Sequence, residues 1–361
     1  MTETATPTPT WRLERYSPGD EEEVLGLFRT VFGKSRSVEH WIWQFRDNPY
    51  GGPFVSIARR ESDGAVIGSY SVMPLMLNVT GKQVPACQSV DTAVHPDHRG
   101  QRVFEKTASD CYAWCESQNL KAVVGFPNAN SYPGFVRSLG WRRIAFPTQH
   151  TRRLSIASSA RKALGVPLLP ELVDIFFRAS HWTSLASRRG VLRKLTGRSC
   201  AFWTSATVPD GYQALWDAWR SREVLSIWKD AAYFQWRYDC NPDHAFRYFY
   251  LTRGVEMLAL AVGVEIDGGL VLCEFLCRNR DVSLGRLLMT EICLLALRGR
   301  MKAVTFLAHD AGYFEDVTAG FSHQRSYSNV FGGRAFEGGL LAELLPYADS
   351  WTVTFGDGDF V

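Results

Sequence analysis

The sequence contains the same short motif twice, and this internal repeat limits the possible folds more than any other feature. Residues 43–49 read WQFRDNP and residues 236–242 read WRYDCNP. Further along, residues 121–123 and 302–304 both read KAV. Matches that recur in the same order are typical of supersecondary units built twice in one chain. We therefore predict two similar units.

The predicted elements follow the same order around both copies. Each copy has a helical stretch, three strands, a helix and a last apolar strand, in that order. In the first copy these elements lie at 20–45, 54–60, 65–79, 84–94, after Gly100, and 122–126. In the second copy they lie at 211–238, 246–252, 257–264, 270–278, 284–297 and 304–309. Three strands joined by short turns predict an antiparallel meander. A helix that connects two strands of one sheet makes those strands parallel. The expected fold class is thus α/β with two mixed sheets.

A length of 361 residues favours two domains over a single core. We predict a disordered tail at 1–10, a first domain at 11–150, a basic helical linker at 151–202 and a second, degenerate domain at 203–361. Residues 151–200 contain ten basic side chains and two acidic ones, Glu171 and Asp174. This segment is either a solvated linker or a docking surface for an acidic partner, such as an acyl carrier protein, a phosphorylated acceptor, or a membrane near 172–177.

Three functional classes are not expected from the composition. The eight cysteines lack the CxxC pairs of zinc sites, so we expect free, buried thiols and no metal. The basic segment carries no recognised nucleic-acid motif, so no nucleic acid is expected. The chain contains no apolar run of about twenty residues, which predicts no transmembrane segment, and its start lacks a signal peptide. We expect a cytoplasmic protein.

Residues 90–104, VDTAVHPDHRGQRVF, predict a strand, a polar turn around Arg99-Gly100 and the start of a helix. A helix start that follows a glycine offers unpaired backbone N–H groups and the positive end of the helix dipole, which together suit a pyrophosphate. The matching stretch of the second copy, RNRDVSLGRLL, has no Arg-Gly pair. We therefore predict an anion site in the first copy only.

These residues resemble the GCN5-related N-acetyltransferase (GNAT) superfamily, whose members bind acetyl-coenzyme A at a loop with the pattern Gln/Arg-x-x-Gly-x-Gly/Ala. The resemblance covers 11–150 through VDTAVHP as the fourth strand, HRGQRV as the loop, KAVVGFPN as the fifth strand and SLGW at 138–141. It is weaker over 203–361. The whole chain looks like a tandem acetyltransferase, an arrangement also found in mycothiol synthase and the Fem aminoacyltransferases. In this alignment Asp97 replaces the usual Gln or Arg, and Arg102 replaces a small residue.

The resemblance implies acetyl-CoA, or another acyl-CoA, as co-substrate. The backbone N–H groups of Gly100, Gln101, Arg102, Val103 and Phe104 would hold the pyrophosphate, with charge from Arg99 or Arg102. A backbone N–H of Val94 or its neighbour Ala93 would polarise the thioester carbonyl. Asn128 would hydrogen-bond the pantetheine arm, or else cap the next helix.

Catalysis would need a base for the amine and an acid for the thiolate. Asp91 interrupts an apolar strand, so it either deprotonates the amine, directly or through water, or binds a cationic acceptor. The tyrosine usual in the family falls on Val136, so Tyr132 or water would supply the proton. Trp43 and Asn48 would line the acceptor cleft, or be structural, because both recur in the second copy.

The sequence thus predicts an N-acyltransferase, specifically an N-acetyltransferase, that passes the acyl group of acetyl-CoA directly to a small-molecule amine in a ternary complex. One alternative is an aminoacyl or long-chain acyl transferase that uses tRNA or acyl carrier protein as donor. The other is a non-catalytic acyl-CoA-binding protein. The terminal carboxylate of Val361 could enter a cleft, as it does in some tandem relatives.

Overall fold

A computed structural model describes residues 10–157, 159–160, 169–197, 199–325 and 330–358. The predicted tail, except for Thr10, lies outside the described residues, and so do Arg161, Lys162 and Arg198 of the basic segment and the carboxylate of Val361. The chain divides into two compact units. The first unit comprises Met1–Leu77, Gln83–Ile144 and Phe331–Pro346, and the second comprises Asn78–Lys82, Ala145–Val330 and Tyr347–Val361.

Strands and helices alternate along the whole chain. The strands are β1 (Trp11–Arg15), β2 (Phe54–Arg60), β3 (Val66–Val79), β4 (Lys82–Val94), β5 (Ala122–Gly125), β6 (Arg142–Ala145), β7 (Thr148–Arg153), β8 (Cys200–Ser205), β9 (Leu225–Ile227), β10 (Arg247–Arg253), β11 (Glu256–Ile266), β12 (Gly269–Cys277), β13 (Ala303–His309), β14 (Ser322–Arg325), β15 (Phe331–Ala335) and β16 (Val353–Thr354). The helices are α1 (Glu21–Phe32), α2 (Val38–Trp41), α3 (Val103–Ser117), α4 (Tyr132–Leu139), α5 (Leu169–Thr196), α6 (Tyr212–Arg220), α7 (Ala231–Phe234), α8 (Val282–Arg298), α9 (Tyr313–Val317) and α10 (Leu340–Leu344).

Each unit is built on one mixed sheet. The strand order is β1-β2-β3-β4-β5-β15-β6 in the first and β14-β7-β13-β12-β11-β10-β8 in the second. Strands β4 and β5 are parallel, as are β12 and β13, while the meanders β2-β3 and β10-β11-β12 are antiparallel. The predicted α/β class with two mixed sheets is confirmed.

Each sheet includes a strand from the distant half of the chain next to its last repeat strand. Strand β15 lies antiparallel to β5, with Gly333 opposite Val124. Strand β7, which follows β6 directly, lies antiparallel to β13, with Thr151 opposite Thr305. The two incoming strands occupy the same position in the repeat, because β5 and β13 both begin in the repeated KAV motif. The sequence analysis did not predict this exchange.

Helix α3 packs on the first sheet through one face. Val103, Thr107, Ala108, Cys111 and Cys115 are buried along it. The start of the helix approaches the sheet at Gly68, where a Cβ would overlap Val103 Cγ1. The absence of a side chain at Gly68 therefore sets how close the first turn of α3 lies to β3.

We predict that Gly68→Ala lowers the free energy of unfolding by about 1–3 kcal/mol, the range for overpacking a core, because the added methyl overlaps Val103. Gly26→Ala in α1 is the matched control, since a Cβ there meets nothing within 4 Å. Its effect should be neutral or stabilising by up to about 1 kcal/mol. Urea unfolding measures both values, and equal stability of the two variants would contradict the close approach.

Candidate functional site

Strands β4 and β5 pair over a short length and then end at different points. Cys87 lies opposite Val123 and Gln88 opposite Val124. Strand β4 then continues to Val94, whereas β5 ends at Gly125. Beyond the paired segment, the backbone of β4 therefore lies past the end of β5. The residues predicted to polarise the thioester, Ala93 and Val94, lie on this extension.

The extension of β4 contains an irregular residue, Asp91, whose φ of 49° is left-handed. This conformation is uncommon for a residue other than glycine and occurs in β-bulges, which re-aim side chains near active sites. The Asp91 carboxylate accepts from Arg36, with Nη1 at 2.5 Å from both oxygens. The same Nη1 donates to Gln44 Oε1 at 3.3 Å. The predicted base is thus held in an ion pair with a residue that the sequence analysis missed.

The turn after β4 leads into helix α3 without a side-chain cap. Gly100 has a φ of 80°, and a Cβ there would meet nothing within 4 Å. Arg102, at the N-cap position, also has a left-handed backbone, and its side chain makes no capping hydrogen bond. The first turn of an α-helix has no intrahelical partner for its N–H groups. The backbone N–H groups of Val103 and Phe104 are therefore available to an anion.

The side chains of this turn mostly face solvent. Arg102 is 73% exposed, and its Nε donates to Glu105 Oε2 at 2.8 Å. This hydrogen bond lowers the pKa of the Glu105 carboxyl. Arg99 is exposed, and Gln101 is exposed with its amide 3.5 Å from Asp97 O. The structure places the predicted phosphate-binding residues in one continuous turn.

The corresponding helix of the second unit, α8, begins differently. Its N-cap residue is Asp281, whose Oδ1 accepts from Ser283 N at 2.8 Å and from Leu284 N at 3.0 Å. A side-chain carboxylate thus satisfies the first-turn N–H groups and places a negative charge at the positive end of the helix dipole. An added phosphate would have to displace this cap and overcome its charge.

Asn128 and Tyr132 follow β5 in the first unit. Asn128 Oδ1 accepts from Asn130 N and Ser131 N, both at 3.0 Å, and Asn128 O accepts from Tyr132 N. Tyr132 is the first residue of α4, and none of the described residues hydrogen-bonds its hydroxyl. Because β4 and β5 are parallel, these residues and the turn after β4 lie at the same edge of the sheet.

Trp43 and Asn48 are buried, and the local structure around Trp43 recurs in the second copy. Trp43 lies in a π-helix at Ile42–Arg46, and its counterpart Trp236 lies in one at Gln235–Asp239. Asn48 donates to Pro74 O at 3.0 Å and accepts from Tyr50 N at 2.8 Å. These contacts give Asn48 a structural role, and its predicted contact with a substrate stays a prediction, as does that of Trp43.

The repeat relates the Arg36–Asp91 ion pair to a second one. The motif alignment matches Arg36 with Lys229. The KAV alignment matches Val123 with Val304, and the registers of the parallel strands then match Asp91 with Glu274. Lys229 Nζ lies 2.7 Å from Glu274 Oε2. Both units therefore hold a cation and a carboxylate at the same place, where two parallel strands part.

In the second unit this place is filled by the chain's own C-terminal segment, residues 353–358. Thr354 Oγ1 lies 2.8 Å from Lys229 Nζ and 2.8 Å from Glu274 Oε2, and Asp357 Oδ1 lies 2.6 Å from Lys229 Nζ. Arg237 Nη2 donates to Gly358 O. Burial acts to lower the pKa of Lys229, but the carboxylates of Asp357 and Glu274 outweigh it and raise that pKa. Burial also raises the pKa of Glu274.

Part of the basic segment is explained by contacts inside the second unit. In α5, Arg178 pairs with Asp174 at 2.7 Å, Arg193 pairs with Glu291 at 2.8 Å, and Arg188 donates to Ala319 O. The apolar side chains of Leu172, Ile175 and Phe176 are exposed on the same helix. The predicted acidic partner or carrier stays a prediction.

The structure also describes the cysteines and the long helices. Seven cysteines are free and buried, but Cys240 is free and exposed, because it lies at the end of a π-helix rather than inside an apolar strand. Among the described residues, no group of three His, Cys, Asp or Glu side chains could hold a metal ion. No helix in the described parts of the chain has the length and apolar content needed to span a membrane.

Residues 12–144 match the family described as "Acetyltransferase (GNAT) domain". The first part of the chain is therefore similar to acetyltransferase domains of the GNAT family. No curated protein matches the sequence.

Solved structures with the same fold include acyltransferases. A probable N-acyltransferase from Enterococcus faecalis V583 is 11% identical with a TM-score of 0.61, and covers 90% of this chain and 72% of its own. A GCN5-related N-acetyltransferase from Kribbella flavida is 13% identical with a TM-score of 0.59, and the match covers 90% of this chain and 71% of that protein. Saccharomyces cerevisiae N-myristoyltransferase with bound myristoyl-CoA is 12% identical with a TM-score of 0.59, and the match covers 93% of this chain and 81% of that protein. At these identities the likeness shows the fold alone.

We predict that Lys229→Met lowers the free energy of unfolding by about 3–5 kcal/mol, because it leaves the carboxylates of Glu274 and Asp357 buried without a cation. The double variant Lys229→Met/Glu274→Gln should be more stable than Lys229→Met, since it removes one of those charges. Urea unfolding of the two variants gives the comparison. If Lys229→Met is as stable as the wild type, Lys229 does not neutralise these two buried carboxylates.

Proposed function

We propose that this protein is an N-acyltransferase that uses acetyl-CoA as donor and a small-molecule amine as acceptor, and that its first unit carries out the reaction. The contrast between two helix N-termini carries the proposal. Helix α3 begins without a side-chain cap behind Gly100, while α8 begins on the carboxylate of Asp281. A pyrophosphate is favoured by free N–H groups and a positive dipole, and is repelled by a carboxylate.

The proposed reaction uses backbone groups for the donor. The N–H groups between Gly100 and Phe104 bind the pyrophosphate, and Asn128 contacts the pantetheine arm. The N–H of Val94 or of Ala93 polarises the thioester carbonyl, at the point where β4 extends past β5. All of these groups lie at one edge of the sheet, which supports a single donor site.

The acceptor amine attacks the carbonyl carbon, the C–N bond forms and the C–S bond breaks. We propose that Asp91 takes the proton of the amine, directly or through water, and that Tyr132 or water gives a proton to the departing thiolate. The Arg36 guanidinium holds the Asp91 carboxylate in place. The tetrahedral intermediate passes the acyl group directly between the two substrates, so both must be bound together.

A carrier-bound or long-chain acyl donor is the second candidate. It is supported by α5, which exposes Leu172, Ile175 and Phe176, and by the departures at Asp97 and Arg102 from the family pattern. Transfer from acyl carrier protein or aminoacyl-tRNA but not from acetyl-CoA would favour this candidate. Acetyl-CoA binding without thiol release over a broad amine panel would favour the non-catalytic alternative.

We predict that isothermal titration calorimetry shows one acetyl-CoA bound per chain, and that Gly100→Glu abolishes this binding because it adds a negative charge and backbone strain at the pyrophosphate site. Gly254→Glu is the matched control. Gly254 also has a left-handed backbone and open space around its Cα, but lies in the hairpin between β10 and β11.

Gly254→Glu should bind acetyl-CoA like the wild type. Two results would contradict the assignment of the donor site to the first unit. One is that Gly100→Glu still binds acetyl-CoA, and the other is a stoichiometry of two acetyl-CoA molecules per chain.

A further inference from the structure

The C-terminal segment of the second unit shows which chemical groups the repeated site binds. Lys229 holds the carboxylate of Asp357, Glu274 accepts from the hydroxyl of Thr354, and Arg237 donates to the carbonyl oxygen of Gly358. The site is thus occupied by a peptide segment that presents a carboxylate, a donor and a carbonyl. These contacts are all buried, so their geometry is fixed by the fold.

The first unit carries polar counterparts at the same three positions. The motif alignment matches Lys229 with Arg36 and Arg237 with Gln44, and the strand registers match Glu274 with Asp91. The charges are the same in the ion pair, so the first unit can bind the same kinds of group.

Arg36 retains hydrogen-bonding capacity that its contacts do not use. Its Nη1 donates to Asp91 and to Gln44, while its Nε and Nη2 donate to no described residue, and the side chain is 21% exposed. Nε and Nη2 form the side of the guanidinium that binds a carboxylate in a bidentate manner. The carboxylate of Asp91 is the kind of acceptor that binds an ammonium group.

We infer that the acceptor of the first unit is an amine that also carries a carboxylate, namely a free amino acid or a short peptide. Asp91 binds the amine, as Glu274 binds the Thr354 hydroxyl, and Arg36 binds the carboxylate, as Lys229 binds Asp357. This inference rests on the proposed function, because it names the class of acceptor for the same site.

The test measures release of CoA thiol from acetyl-CoA with three matched sets of acceptors: the common L-amino acids, their amides, and the corresponding amines without a carboxyl group. For the best acceptor, kcat/KM should exceed that of its amide by about 10- to 100-fold, the range for a charge-assisted hydrogen-bonding contact.

Arg36→Gln should raise the acceptor KM for the amino acid by about 10- to 100-fold more than the KM for the amide, because the amide loses only the support that Arg36 gives to Asp91. The KM for acetyl-CoA should stay nearly unchanged. Arg36→Lys should recover part of the loss, since the second unit uses lysine there. Arg46→Gln is the control for loss of a positive charge, because Arg46 is exposed and pairs with its neighbour Asp47. It should behave like the wild type.

Two outcomes overturn the inference in different ways. If amides and plain amines are acetylated as well as amino acids, the acceptor class is wrong while the proposed function stands. If acetyl-CoA neither binds nor releases thiol with any acceptor, the proposed function fails and the inference fails with it. The comparison of acceptors uses the wild-type chain, so it decides the point even if Arg36→Gln does not fold.

Discussion

An ion pair at the point where two parallel strands part is the interaction around which each unit is arranged. It joins the residue before the N-cap of a short helix to a carboxylate on the strand, as Arg36–Asp91 in one unit and Lys229–Glu274 in the other. Burying such a pair is costly unless further hydrogen bonds satisfy it. In the second unit Thr354 and Asp357 supply them. In the first unit, Nε and Nη2 of the Arg36 guanidinium donate to none of the described residues, and we propose that an acceptor satisfies them.

The two units thus share one architecture but differ at the helix start and at the ion pair. One unit keeps an uncapped helix start and a partly exposed ion pair, both suited to ligands. The other places Asp281 at its helix start and its own chain over the ion pair, so both positions are satisfied internally. The two units differ here in a few side chains, because the backbone elements of the repeat are the same in both, including a π-helix in each.

Local patterns in the sequence were enough to predict the mixed sheets, helix α3 and the repeat that relates Trp43 to Trp236. They were not enough for features that depend on distant pairing. Strands β7 and β15 carry no local signal for their partners, so their exchange between sheets was missed. Arg36 was missed because its role depends on Asp91, 55 residues away along the chain. Aligning Arg36 with Lys229 in the repeat could have drawn attention to both cations.

Hydrogen–deuterium exchange with and without acetyl-CoA tests most directly whether only the first unit offers a donor site. We expect slower exchange of the backbone amides at residues 100–104 when acetyl-CoA is present, since the pyrophosphate would accept from those N–H groups. Amides at residues 279–285, at the start of α8, should exchange at the same rate in both conditions. Slower exchange at 279–285, or no change at 100–104, would contradict the assignment of the donor site to the first unit.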